Sequence, residues 1–115
     1  MRPIPSKLRA ELAEDPEYAP QWCIWHQSFH GHGVRVQWHH QLIFAGRQVN
    51  ERFCIMQICE EIHRKAEWKQ VRERLDWIML NRATDEELEM FSKSRDLVRK
   101  RQVLNEIYGE TYQKE

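Results

Sequence analysis

The sequence predicts an α+β fold in which a short N-terminal helix precedes a two-stranded hairpin, a following helix and a helical tail. Residues 34–38 alternate apolar and polar side chains, which is typical of a half-buried strand. Apolar residues then recur at four-residue steps from Ile58 to Ala66, which indicates a helix. Thr84 and Glu87 stand at the spacing of a capping box, which marks the start of a further helix.

The N-terminal part is expected to be a helix followed by a loop. Ser6 is suited to cap a short helix over residues 7–13, and Pro16 ends it and turns the chain. Residues 21–33 mix aromatic residues, histidines and two glycines without a clear period. This stretch is therefore predicted to be a loop that leads into the hairpin.

The hairpin and the helices follow. The first strand leads directly into His39 and His40, and residues 53–56 form the second strand. A helix is expected to begin near Ile58 and either to continue to about Arg82 or to break near Ala66. A last helical stretch runs from the capping box towards the C-terminal end.

The chain is expected to form one compact domain with three parts. Residues 1–20 form the N-terminal helix and turn, residues 21–67 form the hairpin–helix core, and residues 68–115 form a helical extension. Gly109 is the predicted end of the last helix, since glycine often ends helices.

Composition excludes several classes of protein. The 115 residues include 18 Lys plus Arg and 18 Asp plus Glu, so contact with a polyanion requires a local basic patch rather than bulk charge. Hydrophobic residues make up 41%, which is too many for a disordered chain. The longest apolar runs have about four residues, where a membrane span needs about 20. The N-terminus lacks the apolar segment of a secretory signal and the cysteine count is odd, which predicts a cytoplasmic protein with reduced cysteines.

The histidines and cysteines are confined to one segment of the chain. They are His26, His30, His32, His39, His40, His63, Cys23, Cys54 and Cys59. Hydrolysis of a phosphodiester requires a group that removes a proton from water near neutral pH, which suits histidine, and a divalent metal beside the phosphate. Neighbouring strand residues point to opposite faces. One of the adjacent histidines can therefore hold a metal while the other faces the substrate.

Two stretches of this segment resemble a known family. The sequences VQWHH at residues 36–40 and ICEEIH at residues 58–63, with Asn50 between them, resemble the HNH (ββα-metal, His-Me finger) endonucleases. The resemblance is closest to small members encoded by phages and prophages, and it covers roughly residues 21–67. It implies a ββα-metal core and an enzyme that hydrolyses phosphodiester bonds in DNA with one divalent ion, such as Mg²⁺, Mn²⁺, Ni²⁺ or Zn²⁺.

The resemblance also implies roles for individual residues. His40 takes the position of the general base, while His39 and His63 take the positions of metal ligands. Asn50 is the candidate for the asparagine that orders the loop, although Cys54 stands where other members carry that residue.

A structural zinc is a second implication, because many members bind one through two Cys-x-x-Cys pairs. Cys23 and His26 take the place of the first pair, and Cys59 begins a second pair that has lost its last ligand. Zinc requires four ligands. The remaining candidates for the fourth position are His30, His32 and Cys54. Alternatively, Cys59 lies beside His63 as a ligand of the catalytic metal, where a thiolate favours a softer ion than Mg²⁺.

Basic residues supply the predicted contacts with DNA phosphates. Arg47 in the hairpin loop and Arg64 beside His63 are expected to lie nearest the metal. A second group lies further along the chain and consists of Lys93, Arg95, Arg99, Lys100 and Arg101. This group either tracks the DNA backbone or forms an ordinary solvated helix surface.

Two other functions remain open at this point. The incomplete zinc motif is also compatible with a non-catalytic, zinc-stabilised module that binds DNA or protein. A further alternative is an accessory subunit that acts with other phage replication, recombination or packaging proteins. The sequence leaves the oligomeric state open.

Overall fold

Helices and short antiparallel strand pairs make up the chain in the computed structural model, which describes residues 4–44, 46–92 and 96–109. The predicted α+β class is confirmed. The helices are α1 (Ser6–Ala13), α2 (Glu60–Arg64), α3 (Lys69–Arg82), α4 (Asp85–Met90) and α5 (Leu97–Tyr108). The strands are β1 (Trp22–Cys23), β2 (Ser28–Phe29), β3 (Val36–His40), β4 (Ile43–Phe44), β5 (Arg47–Gln48) and β6 (Ile55–Cys59). They pair as β1 with β2, β3 with β6 and β4 with β5. Short 3₁₀ turns cover Pro16–Tyr18 and Arg52–Cys54.

The predicted N-terminal helix forms, but Ser6 is its first residue rather than its cap, because Pro5 occupies the N-cap position and no side chain caps the helix. Leu12 of α1 is buried, and the Asp15 side chain accepts a hydrogen bond from the Glu17 backbone N–H, which caps the first 3₁₀ turn. Glu17 is itself buried and forms ion pairs with Arg52 and Arg82. These ion pairs hold the N-terminal segment against the rest of the chain.

The central strand pair joins β3 to β6, with Val36 opposite Cys59 and His40 opposite Ile55. The first predicted strand forms, but it begins at Val36, two residues later than predicted, and continues through His40. The second begins two residues later than predicted, because Arg52–Cys54 forms a 3₁₀ turn. All of β6 is buried. One of its faces packs against α1 and the first 3₁₀ turn, and the other belongs to the main core with α3.

Residues 21–33 are not a loop throughout, because they contain the β1–β2 hairpin with Trp22 opposite Phe29. The amide of Gln57, on β6, donates to the Trp22 carbonyl at 2.8 Å. The Ile24 backbone N–H donates to the backbone carbonyl oxygen of Gln57 at 2.9 Å. A buried side chain of another strand therefore holds this hairpin, and the local sequence pattern does not reveal such a contact.

The helices after β6 are shorter and more numerous than predicted. Helix α2 begins at Glu60, two residues after Ile58, because β6 continues to Cys59. Of the two alternatives, the break near Ala66 is confirmed, since α2 ends at Arg64 and the extended Trp68 caps α3. The capping box of Thr84 and Glu87 is also confirmed at the start of α4. The last helical stretch is divided into α4 and α5 rather than continuous.

The helical extension packs into the same core as the strands. A single cluster of buried side chains includes residues from Cys23 to Leu104. The indole N–H of Trp77 on α3 donates to Asn105 Oδ1 on α5 at 3.0 Å. Gly109, with a φ of 120°, follows the end of α5 as predicted. Among the described residues, none of the helices combines the length and the apolar character that crossing a membrane requires.

Candidate functional site

The register of β3 and β6 decides which candidate side chains share a face. Opposed residues of an antiparallel pair point the same way, and successive residues of a strand point to opposite faces. Cys59 is opposite Val36, so these two side chains point the same way. His39 lies three positions after Val36 on β3 and is opposite Met56. His39 and Cys59 therefore point to opposite faces, and His40 shares the face of Cys59.

This arrangement corrects one predicted ligand set. The structure does not bring Cys59 to His39 and His63, because β6 continues through Cys59 and the sheet, rather than the following helix, sets the direction of its side chain. The Cys59 thiol instead lies 3.7 Å from His26 Nδ1. Cys59 thus belongs with the candidate zinc ligands.

His39 and His63 lie together, as predicted for ligands of one cation. Their ring centroids are 5.3 Å apart and their planes are nearly perpendicular. His39 is half-buried, and its Nε2 lies 2.9 Å from Gln41 Oε1. Burial lowers the pKa of His39, although the hydrogen bond to Gln41 acts in the opposite direction. A lowered pKa favours the neutral imidazole, which is the form that binds metals.

His40 has a different partner from His39. Its Nε2 lies 2.7 Å from Asn50 Oδ1, and both side chains are half-buried. Asn50 follows β5, so the β4–β5 hairpin returns the chain to the end of β3. With Nε2–H donating to the Asn50 carbonyl oxygen, the other ring nitrogen of His40 remains free to accept a proton.

A second group of ligand-type side chains lies at the other end of the strand pair. It consists of Cys23, His26, His30 and Cys59, and the four potential ligand atoms all lie within 4.8 Å of one another. His26 Nδ1 is 3.4 Å from Cys23 Sγ and 3.3 Å from His30 Nε2. Two thiols and two imidazoles are a donor set that suits tetrahedral zinc, so the residues fit a zinc ion.

The fold brings this group together through two elements. Cys23 ends β1, His30 follows β2 and His26 lies in the turn between them, so the β1–β2 hairpin supplies three of the members. Cys59 supplies the fourth, from the residue that ends β6 and caps α2. Burial raises the pKa of the Cys23 thiol. A divalent cation opposes this effect, because it stabilises the thiolate as a ligand.

The structure separates the three candidates for the fourth zinc position. His30 is in the group, whereas His32 is exposed and lies outside it. Cys54 is fully buried in the main core, and burial strongly raises the pKa of its thiol. Cys54 is therefore a core residue, and the Asn50 side chain, not Cys54, contacts His40.

Only some of the described basic residues that were predicted to contact phosphates are exposed and free of ion pairs within the fold. Arg47 on β5, Arg64 on α2 and Arg99 on α5 are exposed. Lys100, by contrast, donates to Asp76 at 2.8 Å, and Arg101 forms an ion pair with Asp85. Lys100 and Arg101 are thus engaged within the fold. Lys93 and Arg95 lie outside the described residues.

Sequence reasoning missed two residues linked to His39, of which Gln41 contacts His39 and Asp76 contacts Gln41. Gln41 Nε2 donates to Asp76 Oδ1 at 2.8 Å, and Gln41 Oε1 lies 2.9 Å from His39 Nε2. Asp76 is only 9% exposed, although it is an acid on the apolar part of α3. A charged residue within the apolar run 75–80 is a signal that could have drawn attention to it. The approach of α3 to Gln41, the residue after β3, has no local signature.

Comparisons with protein-family models, curated proteins and solved structures give no match for this chain. The functional inference therefore depends on the geometry of the two groups. One pairs imidazoles from a strand and a helix, and the other gathers two thiols and two imidazoles.

Proposed function

We propose that the protein is a metal-dependent DNA endonuclease of the HNH type, in which β3, β6 and α2 form a ββα-metal core. One observation carries the proposal. The adjacent residues His39 and His40 diverge to two different partners, His63 in the first case and Asn50 in the second. This separation is what a hydrolase needs if one imidazole binds a cation and the other removes a proton from water.

In the proposed mechanism, His39 and His63 hold a divalent cation and His40 acts as the general base. When bound, the cation supplies charge stabilisation for the scissile phosphate and for the leaving oxygen. His40 accepts a proton from the attacking water. Asn50 holds the His40 ring in orientation through the 2.7 Å contact at Nε2. Arg47 and Arg64, both exposed, contact neighbouring phosphates.

The Cys23–Cys59 group, defined as Cys23, His26, His30 and Cys59, has a structural role in this proposal. A zinc ion there links the β1–β2 hairpin to the residue that caps α2, four positions before His63. Zinc therefore fixes the start of the helix that carries one of the catalytic cation's ligands. This role explains why a chain with a small core contains a second ligand group.

The proposal is tested by nicking of supercoiled plasmid in the presence of Mg²⁺, Mn²⁺, Ni²⁺ or Zn²⁺. We expect nicking with at least one of these ions, and a loss of about 100-fold or more in rate for His40→Ala, which is the range for removal of a general base. His32→Ala is the matched control, because His32 is exposed and lies outside both groups. Equal rates for His40→Ala and the parent protein would contradict the assignment.

A second candidate function rests on the completeness of the Cys23–Cys59 group. It offers four potential ligands, whereas in the described part of the chain two imidazoles face each other at the proposed catalytic cation. A non-catalytic, zinc-stabilised module that binds DNA or protein would need only the first group. Stoichiometric zinc, together with no cleavage in any of the four ions, would favour this alternative.

A further inference from the structure

A chain of three hydrogen bonds runs from His39 through Gln41 and Asp76 to Lys100 on α5. His39 Nε2 lies 2.9 Å from Gln41 Oε1, and Gln41 Nε2 donates to Asp76 Oδ1 at 2.8 Å. The second carboxylate oxygen of Asp76 accepts from Lys100 Nζ, also at 2.8 Å. Asp76 is almost completely buried, so its two oxygens depend on these protein partners.

The chemistry of the chain gives it a direction. An ionised carboxylate only accepts hydrogen bonds, so Asp76 requires Gln41 to present its NH₂ group. The carbonyl oxygen of Gln41 then faces His39 and requires an N–H at Nε2. A neutral imidazole that carries its proton on Nε2 has its lone pair on Nδ1. The unprotonated nitrogen of His39 is thus the one that Gln41 does not contact.

We propose that Gln41 and Asp76 are positioning residues that hold His39 in the Nε2–H tautomer, so that Nδ1 is the nitrogen that binds the cation shared with His63. The inference rests on the proposed function, since His39 needs a defined tautomer only if it is a ligand. Metal-binding histidines commonly donate their other N–H to such a partner, and the loss of that partner typically weakens metal binding about 10- to 100-fold.

A purely structural role for Gln41 makes a different prediction. Gln41 also donates to the Arg72 carbonyl oxygen at 3.4 Å and therefore tethers the end of β3 to α3. If this tether were its whole role, substitution would lower stability and leave the state of the His39 ring unchanged. The tautomer of His39 is therefore the readout that separates the two roles.

The test uses the full ¹⁵N-labelled chain and long-range ¹H–¹⁵N spectra of the histidine rings. The signals of His39 are assigned as those that disappear in His39→Gln. We expect the Nε2–H tautomer in the parent protein and a mixture of tautomers in Gln41→Met. Gln37→Met makes the same chemical change two residues before His39 on β3 and is the matched control.

Cation affinity provides the second readout, with Mn²⁺ as the probe and the paramagnetic signal of the free ion as the measure. Gln41→Met should raise the dissociation constant about 10- to 100-fold, and Gln37→Met should leave it unchanged within about threefold. Asp76→Asn should also produce mixed tautomers, because an amide at position 76 no longer dictates the orientation of Gln41.

The inference is overturned if His39 carries its proton on Nδ1 in the parent protein, or if Gln41→Met changes neither the tautomer nor the Mn²⁺ affinity. Neither measurement involves DNA. A chain that binds Mn²⁺ in the expected manner but fails to nick plasmid would retain the positioning role of Gln41 and refute only the nuclease.

Discussion

His40 and Asn50 are in direct contact, with 2.7 Å between Nε2 and Oδ1, although the β4–β5 hairpin lies between them in the sequence. The contact fixes the plane of the His40 ring. Because misplacement of a reacting group by about 1 Å costs up to about 100-fold in rate, Asn50→Ala should lower the nicking rate by roughly that factor. Asn50→Asp retains an acceptor oxygen and should lose less.

Stability measurements keep this prediction specific. Both Asn50 variants should unfold at urea concentrations close to that of the parent protein, since Asn50 is only half-buried. Parent-like nicking by Asn50→Ala would show that the contact does not orient the catalytic base.

Zinc content tests the Cys23–Cys59 group directly. We expect about one zinc ion per chain after purification, measured by elemental analysis, because structural zinc requires the four ligands that this group supplies. His30→Ala should lose the ion and should lower the thermal midpoint, since metal binding adds to folding free energy. His32→Ala is the control and should retain both the zinc ion and the thermal midpoint of the parent protein. Equal zinc in the two variants would exclude His30 as a ligand.

Cys54 should behave differently from the two cysteines of that group. Burial strongly raises the pKa of the Cys54 thiol, so it stays protonated and unreactive at pH 8. Ellman's reagent should therefore leave Cys54 unmodified until denaturant is added. Cys54→Ala should keep its zinc, whereas Cys23→Ser should lose it. Zinc loss in a folded Cys54→Ala protein would contradict the core assignment.

The buried ion pair between Glu17 and Arg82 is predicted to be important for stability. Glu17 Oε1 lies 3.3 Å from Arg82 Nε, and each side chain is only 3% exposed. Glu17→Ala leaves the Arg82 charge buried without its carboxylate, which typically costs about 3–5 kcal/mol of unfolding free energy. The exposed Glu14→Ala variant should change it by less than about 0.5 kcal/mol. Urea denaturation measures both.

Alkaline pH should destabilise the protein through Tyr18. Its hydroxyl donates to the Arg52 carbonyl oxygen at 3.0 Å, and burial raises its pKa above the ordinary value of 10.0, against the opposing effect of Arg82. A raised folded-state pKa contributes stability that is fully present below the unfolded value and is lost as the pH rises through the folded value. Between pH 8 and pH 12, a range chosen to bracket about 10, the unfolding free energy should therefore fall less steeply for Tyr18→Phe than for the parent protein. Parallel curves would contradict this assignment.

Local sequence signals determined much of the secondary structure. The capping box of Thr84 and Glu87 is confirmed, because it depends on residues close together in the chain. The N-terminal helix and the strand that ends in His40 also form, with starts that differ by one and two residues from those predicted. The confinement of histidine and cysteine to one segment likewise identified the part of the chain that contains both candidate ligand groups.

Tertiary structure alone decided which of these residues meet. Cys59 has the spacing of a helical neighbour of His63, but β6 extends through it, and the register with Val36 directs its thiol towards His26. His30 joins the Cys23–Cys59 group because the β1–β2 hairpin places it there, and the side-chain amide of Gln57, on β6, holds that hairpin. Composition and periodicity report a residue's propensity and burial, whereas ligand groups depend on strand register and helix docking, which are set by contacts between residues distant in sequence.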